Sequence, residues 1–299
     1  MIPLVFHPIY SQLNLSVKHR FPIQKYQGIR DALADKQVSS RDFFTPKAIS
    51  PSDLKKVFDD GYVDAFLTNN LDKQAMRRIG FPWSEKLVQR TLLAVGGTVL
   101  AAKLALQHGI ALNLTGGYHH AFANYGSGFC IFNDLYLSAL QMLQAPEIDK
   151  VLVFDCDVHQ GDGTAMLASG NPDIFTVSLH AENNFPYRKQ QSDMDFPLIK
   201  HLKDDEYLNV VDEALFLAVQ QFQPDAIIYD AGVDIHIDDD LGFLDISTEG
   251  VYRRDKLVFE LAREKGIPIM AVIGGGYQRD TDALVKVHLQ LYRAFGVFS

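Results

Sequence analysis

The chain has little cysteine, two residues in 299, at Cys130 and Cys156. Two thiols cannot build a disulfide framework or a Cys-rich zinc site, so stapled miniature folds and zinc fingers are excluded. Basic charge is also in short supply: Lys and Arg number 28 against 37 Asp and Glu, a net charge of −9. An acidic chain grips nucleic-acid phosphates poorly, so direct nucleic-acid binding is not expected, and acidic charge near a cleft favours cationic ligands. No run of eighteen or more uninterrupted apolar residues occurs. The opening MIPLVFHPIYSQLNLSVKHRF has no basic segment ahead of an apolar stretch and no small-residue cleavage site. The expectation is a soluble, cytoplasmic protein with no membrane contact. Internal repeats, low-complexity tracts and Pro/Gly/Ser linkers are absent too. One domain over 1–299 is expected, with no tail or second domain for recruitment.

Hydrophobic residues at 47% and charged residues at 22% are ordinary globular values. A chain of this length buries roughly three quarters of its unfolded surface, so folding needs no disulfide or structural metal. Short β-branched apolar runs at Val151–Phe154, Ile174–Leu179, Ala226–Tyr229 and Ile267–Ile273 read as strands covered on both faces. Helical patterns lie between them at Ser84–His108, Asp204–Gln221 and Thr248–Lys265. The last has Ser247 or Thr248 as N-cap and Gly266 as its stop. This alternation predicts an α/β fold, a single domain with a mainly parallel central sheet and helices on both faces. Ligands in such sheets sit beyond the carboxyl ends of the strands. The unusual residues fall there: Asp155, Asp157 and His159 after the first run, Ser178–His180 ending the second, Asp230 and Asp234 after the third, and Gly274–Tyr277 after the fourth.

In Asp155-Cys-Asp-Val-His159, an extended backbone would put two carboxylates and an imidazole on one side, a donor set suited to Zn²⁺, Fe²⁺ or Mn²⁺. The bland alternative is a polar loop capping the next helix near Asp162. Adjacent His119 and His120 cannot point the same way on a strand, whereas in a loop after Gly116-Gly117 they can converge on one atom; otherwise they are merely solvated. Gly274-Gly-Gly-Tyr277 reads as a phosphate cradle, as a turn presenting Tyr277 to the mouth, or as a packing turn. No Lys and no GxGxxG pattern supports the first. Asp238-Asp-Asp240 reads as a solvated loop, Cys156 as a buried structural cysteine, and Ser178 lacks the elbow of a serine hydrolase.

Six motifs in order, GGYHHA (116–121), GSGFC (126–130), DCDVHQGDG (155–163), VSLH (177–180), DAGVD (230–234) and GGGY (274–277), resemble those of the zinc-dependent histone deacetylase family. The resemblance starts at HRFP (19–22), and the HRFPIQKY opening is most similar to class IV deacetylases and their bacterial relatives. It implies an arginase/deacetylase-like fold and a lysine deacetylase-like hydrolase. Asp157, His159 and Asp234 would be the zinc ligands. His119 and His120 would be the catalytic pair, hydrogen-bonded to Asp155 and Asp162 respectively, and Tyr277 the catalytic tyrosine. Gly128, Phe129, Phe185 and Leu241 would line an acyl-lysine tunnel, with Asp60 at its rim and Arg20 in an internal product channel. Asp155, Asp157, His159, Ser178 and Leu179 would form a structural potassium site. The stretch Asn183–Phe196 lacks the glycine-rich form found in other classes, so rim contacts do not transfer.

The implied chemistry is amide hydrolysis by a metal-activated water, with Fe²⁺ as an alternative to Zn²⁺. The resemblance favours His120 as the proton-transferring residue and His119 as mainly electrostatic, with Tyr277 stabilising the oxyanion. Substrates are an acyl-lysine protein or peptide, or a small acylated amine such as an acetylpolyamine. Two further readings are a catalytically silent acyl-lysine binder, against which the intact catalytic set argues, and an arginase-like manganese hydrolase. The latter would want a second set of metal carboxylates, and the GGYHHA pair (116–121) argues otherwise. Acyl length and oligomeric state stay open.

Overall fold

The computed structural model describes residues 1–298. Among them, β1 (Leu4–Val5), β2 (Phe43–Phe44), β3 (Ile110–Asn113), β4 (Val151–Asp155), β5 (Ile174–Ala181), β6 (Met194–Leu198), β7 (Ala226–Asp230) and β8 (Ile269–Val272) form one sheet. Their order is β2-β1-β3-β8-β7-β4-β5-β6, and every pairing is parallel. The helices are α1 (Lys25–Asp35), α2 (Pro51–Leu54), α3 (Asp60–Leu67), α4 (Lys73–Ile79), α5 (Glu85–His108), α6 (Asp134–Met142), α7 (Asp162–Ala168), α8 (Asp204–Phe222), α9 (Thr248–Lys265) and α10 (Thr281–Ala294).

Strand periodicity divides the core in two. Leu152, Phe154, Ile227, Tyr229, Ile269 and Ala271 pack on one face with side chains of α8, α9 and α10. Val151, Val153, Ala226, Ile228, Met270 and Val272 pack on the other with α5 and α6. Both sets are buried, which is why these strands read as continuous apolar runs. The long helix α5 is apolar and long enough to cross a membrane by composition, but 56% of its most apolar window is buried inside the protein. It packs on β3, β8 and α6 as a core helix.

The predicted strands and helices match closely where the pattern is long. Ser84 caps α5 by accepting from Leu87 N, Ser247 rather than Thr248 caps α9 through Gly250 N, and Gly266 ends α9 at φ 67°. The expected strand Ile267–Ile273 pairs only over Ile269–Val272. Four strands carry no legible signal: β1 and β2 have two residues each, β3 follows a 24-residue helix after one glycine, and β6 is an edge strand containing Pro197.

Candidate active site

β4 and β7 are neighbours, and Asp155 and Asp230 occupy the same register at their carboxyl ends. Beyond this point the chain leaves the strand. The expectation that Asp155, Asp157 and His159 share one side of an extended segment is therefore corrected, because residues 156–161 are not strand. Asp155 Oδ1 accepts from Asp157 N at 3.0 Å, and its Oδ2 faces His119 Nδ1 at 2.7 Å. Asp157 and His159 instead meet Asp234. His159 Nδ1 lies 3.0 Å from Asp157 Oδ1 and 3.1 Å from Asp234 Oδ2, and one ligand atom from each residue falls within 4.8 Å of the others. All three are buried. The carboxylates are fixed from behind: Gly275 N donates to Asp157 Oδ2 (2.7 Å) and Val158 N to Asp234 Oδ1 (2.8 Å). Burial and the charge of Asp157 push the Asp234 carboxyl up to about 6. His159, despite burial, is raised to about 10 by the two carboxylates it touches.

His119 and His120 follow Gly116 and Gly117 in a loop, with ring centroids 4.1 Å apart and Nε2 atoms 3.1 Å apart. Each ring is held from its far nitrogen, His119 by Asp155 and His120 by Asp162, both at 2.7 Å. The loop is anchored at the start of α6. Asp134 accepts from Tyr118 N (2.7 Å), Gly117 N (3.3 Å) and Thr98 Oγ1 (2.6 Å), while Asn133 Nδ2 donates to the carbonyl of His119. The two imidazoles titrate in opposite directions. Burial and the neighbouring His119 charge lower His120 to about 4. His119, equally buried, is held well above its ordinary value by Asp155 and Asp157.

Tyr277 comes from the turn after β8. The Gly275 amide serves Asp157, which leaves no phosphate cradle at this turn. A side chain at Gly275 would overlap the Asp234 carboxylate, and Gly274 has φ 56°, so glycine is needed for close approach at one and for backbone conformation at the other. The Tyr277 ring packs 5.9 Å from Phe129 and 6.2 Å from His159, over the ligand group. Burial and the surrounding carboxylates hold its hydroxyl protonated, well above the ordinary phenol range.

Of these residues, His120, His159 and Tyr277 line a cleft of about 560 Å³. Gly128, Phe129, Phe185 and Leu241 all line it, with Phe185 edge-on to His120 at 4.8 Å. Asp60 does not line it. It opens α3 as an exposed residue, placed there because Asp59 caps that helix through Tyr62 N. The acidic rim residue is Asp240, paired with Arg279 (2.7 Å) and Arg20 (3.3 Å). Arg20 is thus a surface residue rather than part of an internal channel. A small cavity of about 20 Å³ does lie behind the ligand group, between Tyr26, Tyr118, Cys130 and the glycine turn. Ser178 and Leu179 are buried near the end of β5, where Ser178 is the register partner of Asp155. Cys156 is buried against the α8–α9 face, away from the ligands.

A family model described as a histone deacetylase domain matches residues 19–291. The chain belongs to the histone deacetylase family. An uncharacterised protein of Picosynechococcus is 44% identical over 98% of this chain and 97% of the relative. Histone deacetylase 2 of Arabidopsis thaliana is 38% identical over 67% of this chain and 54% of its own length. The acetoin utilization protein AcuC of Bacillus subtilis is 30% identical over 91% and 76%. Membership makes the protein a hydrolase of the deacetylase type, with buried His and Asp groups able to hold a metal.

Three further residues of this deacetylase lie outside the six motifs. Lys25 is fully buried and donates to the carbonyls of Gly274 (3.1 Å) and Gly276 (3.4 Å). Burial lowers it to about 8, against the opposing pull of Asp234, Asp239 and Asp157. Its signal was a lysine on the apolar i, i+4, i+8 stripe with Ile29 and Leu33. Asp239, within the expected solvated triplet, instead accepts from Tyr277 N (2.6 Å), Leu241 N (2.9 Å) and Gly242 N (3.1 Å). Arg254 is buried on α9 and holds the 231–234 turn by donating to the Gly232 carbonyl (2.6 Å) and the Ala231 carbonyl (3.2 Å). Neither Asp239 nor Arg254 stands out in the sequence, because ordinary surface positions carry the same residue types.

Proposed function

We propose that the protein is a zinc-dependent amidohydrolase that removes acetyl or longer acyl groups from lysine side chains. The observation that carries this reading is the pair of His–Asp dyads whose Nε2 atoms lie 3.1 Å apart beside the Asp157–His159–Asp234 group, with His120, His159 and Tyr277 lining an aromatic cleft.

The ligand group fits a divalent cation. Two buried carboxylates converge on one imidazole, and a nitrogen–oxygen donor set of this kind suits Zn²⁺ and accommodates Fe²⁺. When bound, the ion supplies Lewis acidity, lowering the pKa of a water and polarising the amide carbonyl. The protein residues do the rest. Phe129 and Phe185 take the apolar lysine stem and exclude water. His120, neutral at physiological pH, accepts the water proton and returns it to the departing amine, while Asp162 fixes its tautomer. His119 with Asp155 contributes positive charge beside the reacting carbonyl. The Tyr277 hydroxyl donates to the carbonyl oxygen as negative charge develops there. The buried Ser178 hydroxyl and Asp155, at one register of β4 and β5, support the proposed potassium site.

The test is hydrolysis of acetyl-lysine peptides beside longer acyl-lysine peptides and acetylpolyamines. Turnover of acyl-lysine is expected, lost on chelation and restored by Zn²⁺, and lost with Asp234→Ala. Faster turnover of acetylpolyamines would reassign the substrate class. Absence of turnover on every acylated amine by metal-loaded protein would leave a silent binder and overturn the reading.

A further inference from the structure

The mouth of the cleft is charged against the rest of the molecule. A net charge of −9 predicts cationic ligands for a cleft in this chain. Histidines aside, the charged side chains that line this one are Arg78 and Asp240. Asp240 is already answered twice: its Oδ2 lies 2.7 Å from Arg279 Nε and 3.3 Å from Arg20 Nη1. Three guanidiniums thus meet one carboxylate, and two positive charges are left over. Arg20 and Arg279 are about half-exposed, and each makes one side-chain hydrogen bond among the described residues. Most of the N–H donors on both guanidiniums therefore stay open.

Arg78 has no carboxylate at all. The arginine ion pairs among the described residues belong to Arg20, Arg253, Arg254, Arg279 and Arg293. Asp72 lies at the opposite end of α4, where it caps the helix through Ala75 N (2.7 Å). The exposed Arg78 guanidinium sits over the Tyr125 ring, 4.3 Å from its centroid, which fixes its plane and leaves its N–H edge available. Its carbonyl accepts from Gly128 N (3.1 Å) and that of Ile79 from Phe129 N (2.8 Å), so this arginine is tied through its own backbone to the tunnel wall. The loop that carries Phe185 adds Arg188 and Lys189 against Glu182. Lys189 Nζ holds that loop by donating to the carbonyls of Asn184 (2.6 Å) and Pro186 (2.7 Å), while Arg188 is exposed.

We propose that Arg20, Arg78 and Arg279 select acyl-lysine peptides with aspartate or glutamate beside the acyl-lysine, and disfavour polycations such as acetylpolyamines and lysine-rich tails. This selectivity rests on the acyl-lysine reading of the site and narrows its substrate class. A peptide whose acyl-lysine enters the cleft leaves its flanking residues at the mouth. There the planar guanidinium forks match carboxylates in shape as well as charge. A flanking lysine meets like charges instead, and a polyamine offers ammonium groups alone. Charges at a solvated rim act mainly on capture, by steering the encounter, so the preference belongs in kcat/KM and weakens with salt.

Three acetyl-lysine peptides of equal length are compared, identical except that the residues on either side of the acetyl-lysine are both Asp, both Ala or both Lys. N-acetylspermidine is run beside them. At low salt, kcat/KM is expected to be about 10-fold higher for the Asp-flanked than for the Lys-flanked peptide, and lowest for acetylspermidine. The gap should shrink at about 0.5 M NaCl, a comparison that needs no variant. In Arg78→Glu the Asp-to-Lys ratio is expected to fall several-fold. Equal values for the three peptides, faster turnover of the Lys-flanked peptide or of acetylspermidine, a gap that persists at high salt, or an unchanged ratio in folded Arg78→Glu would each overturn the proposal. Binding of the same peptides to metal-loaded protein, read by fluorescence anisotropy, separates the selectivity from the reading it rests on. Tighter binding of the Asp-flanked peptide without hydrolysis of any sinks the functional reading alone, whereas hydrolysis without preference sinks the selectivity alone.

Discussion

At Tyr277 a single oxygen distinguishes catalysis from packing. The ring is held by Phe129 and Phe21, and the backbone amide by Asp239, so Tyr277→Phe should keep the fold and the metal. Loss of one preorganised oxyanion donor costs about 10²–10³-fold in rate. Turnover is expected to fall by that factor in single-turnover measurements while ligand affinity changes much less, since the donor acts when charge develops. An unchanged rate with a lowered melting temperature would make Tyr277 structural. His120→Ala should lose about 10²–10⁴-fold in kcat with little change in KM, the usual worth of general acid–base help. Full activity with an unaltered pH profile would remove His120 from proton transfer. Both residues were legible from motif and type. The opposite titration of the two histidines was not, because it arises from Asp157 and Asp155 approaching His119 while His120 is left with Asp162.

Two connections, the segment after β7 and the turn after β8, are tied together by the Val233 N to Gly275 O backbone hydrogen bond (2.9 Å) and by one carboxylate. Asp239 in the first accepts from Tyr277 N in the second and from Leu241 N on the cleft wall. Burial and the Asp234 charge raise the Asp239 carboxyl to about 7. Asp239→Asn replaces one accepting oxygen with an amide nitrogen and should cost roughly 0.5–1.5 kcal/mol of positioning energy, about 2–10-fold in kcat. In a Tyr277→Phe background the further loss should be much smaller, because the group being positioned is gone. Equal losses in both backgrounds, read from kcat in a double-mutant cycle, would mean that Asp239 acts independently of Tyr277. Gly275→Ala tests the same turn from the metal side. Its new Cβ overlaps the Asp234 carboxylate, so metal content measured after dialysis should drop sharply. Retained stoichiometric metal would show that the turn can move aside. The apolar strand before this turn was legible, but the close approach was not, since it depends on β7 and β8 being neighbours.

For the whole molecule, buried histidines outside the site couple folding to acid. His288 on α10 is buried, and its Nε2 has no partner. Burial, then the charges of Lys25 and Arg254, hold it well below its ordinary value. The unfolded chain therefore binds a proton near pH 6.5 that the folded protein refuses, and the contribution of His288 to stability is full above that pH and falls as pH drops. Relative to His288→Leu, the natural protein should lose about 1.4 kcal/mol for each pH unit below about 6.5. Denaturant unfolding of metal-loaded protein between pH 7 and pH 5 measures this gap. A gap independent of pH would show that His288 titrates in the fold as it does in the unfolded chain.

The sequence by itself determined the α/β alternation, because strands covered on both faces must be apolar throughout and helices must carry a stripe. Its ordered motifs, through their resemblance to the deacetylase family, also pointed to Asp157, His159 and Asp234, to the histidine pair with Asp155 and Asp162, and to Tyr277. Only the tertiary structure decided what depends on distant elements meeting. Asp155 and Asp230 face each other because β4 lies beside β7, 75 residues later in the chain at matched register. Lys25 reaches the glycine turn across 249 residues, and Asp239 is a latch because β8 brings Tyr277 to it. Sequence periodicity reports which face a residue occupies, but only strand order and register report which residue stands opposite.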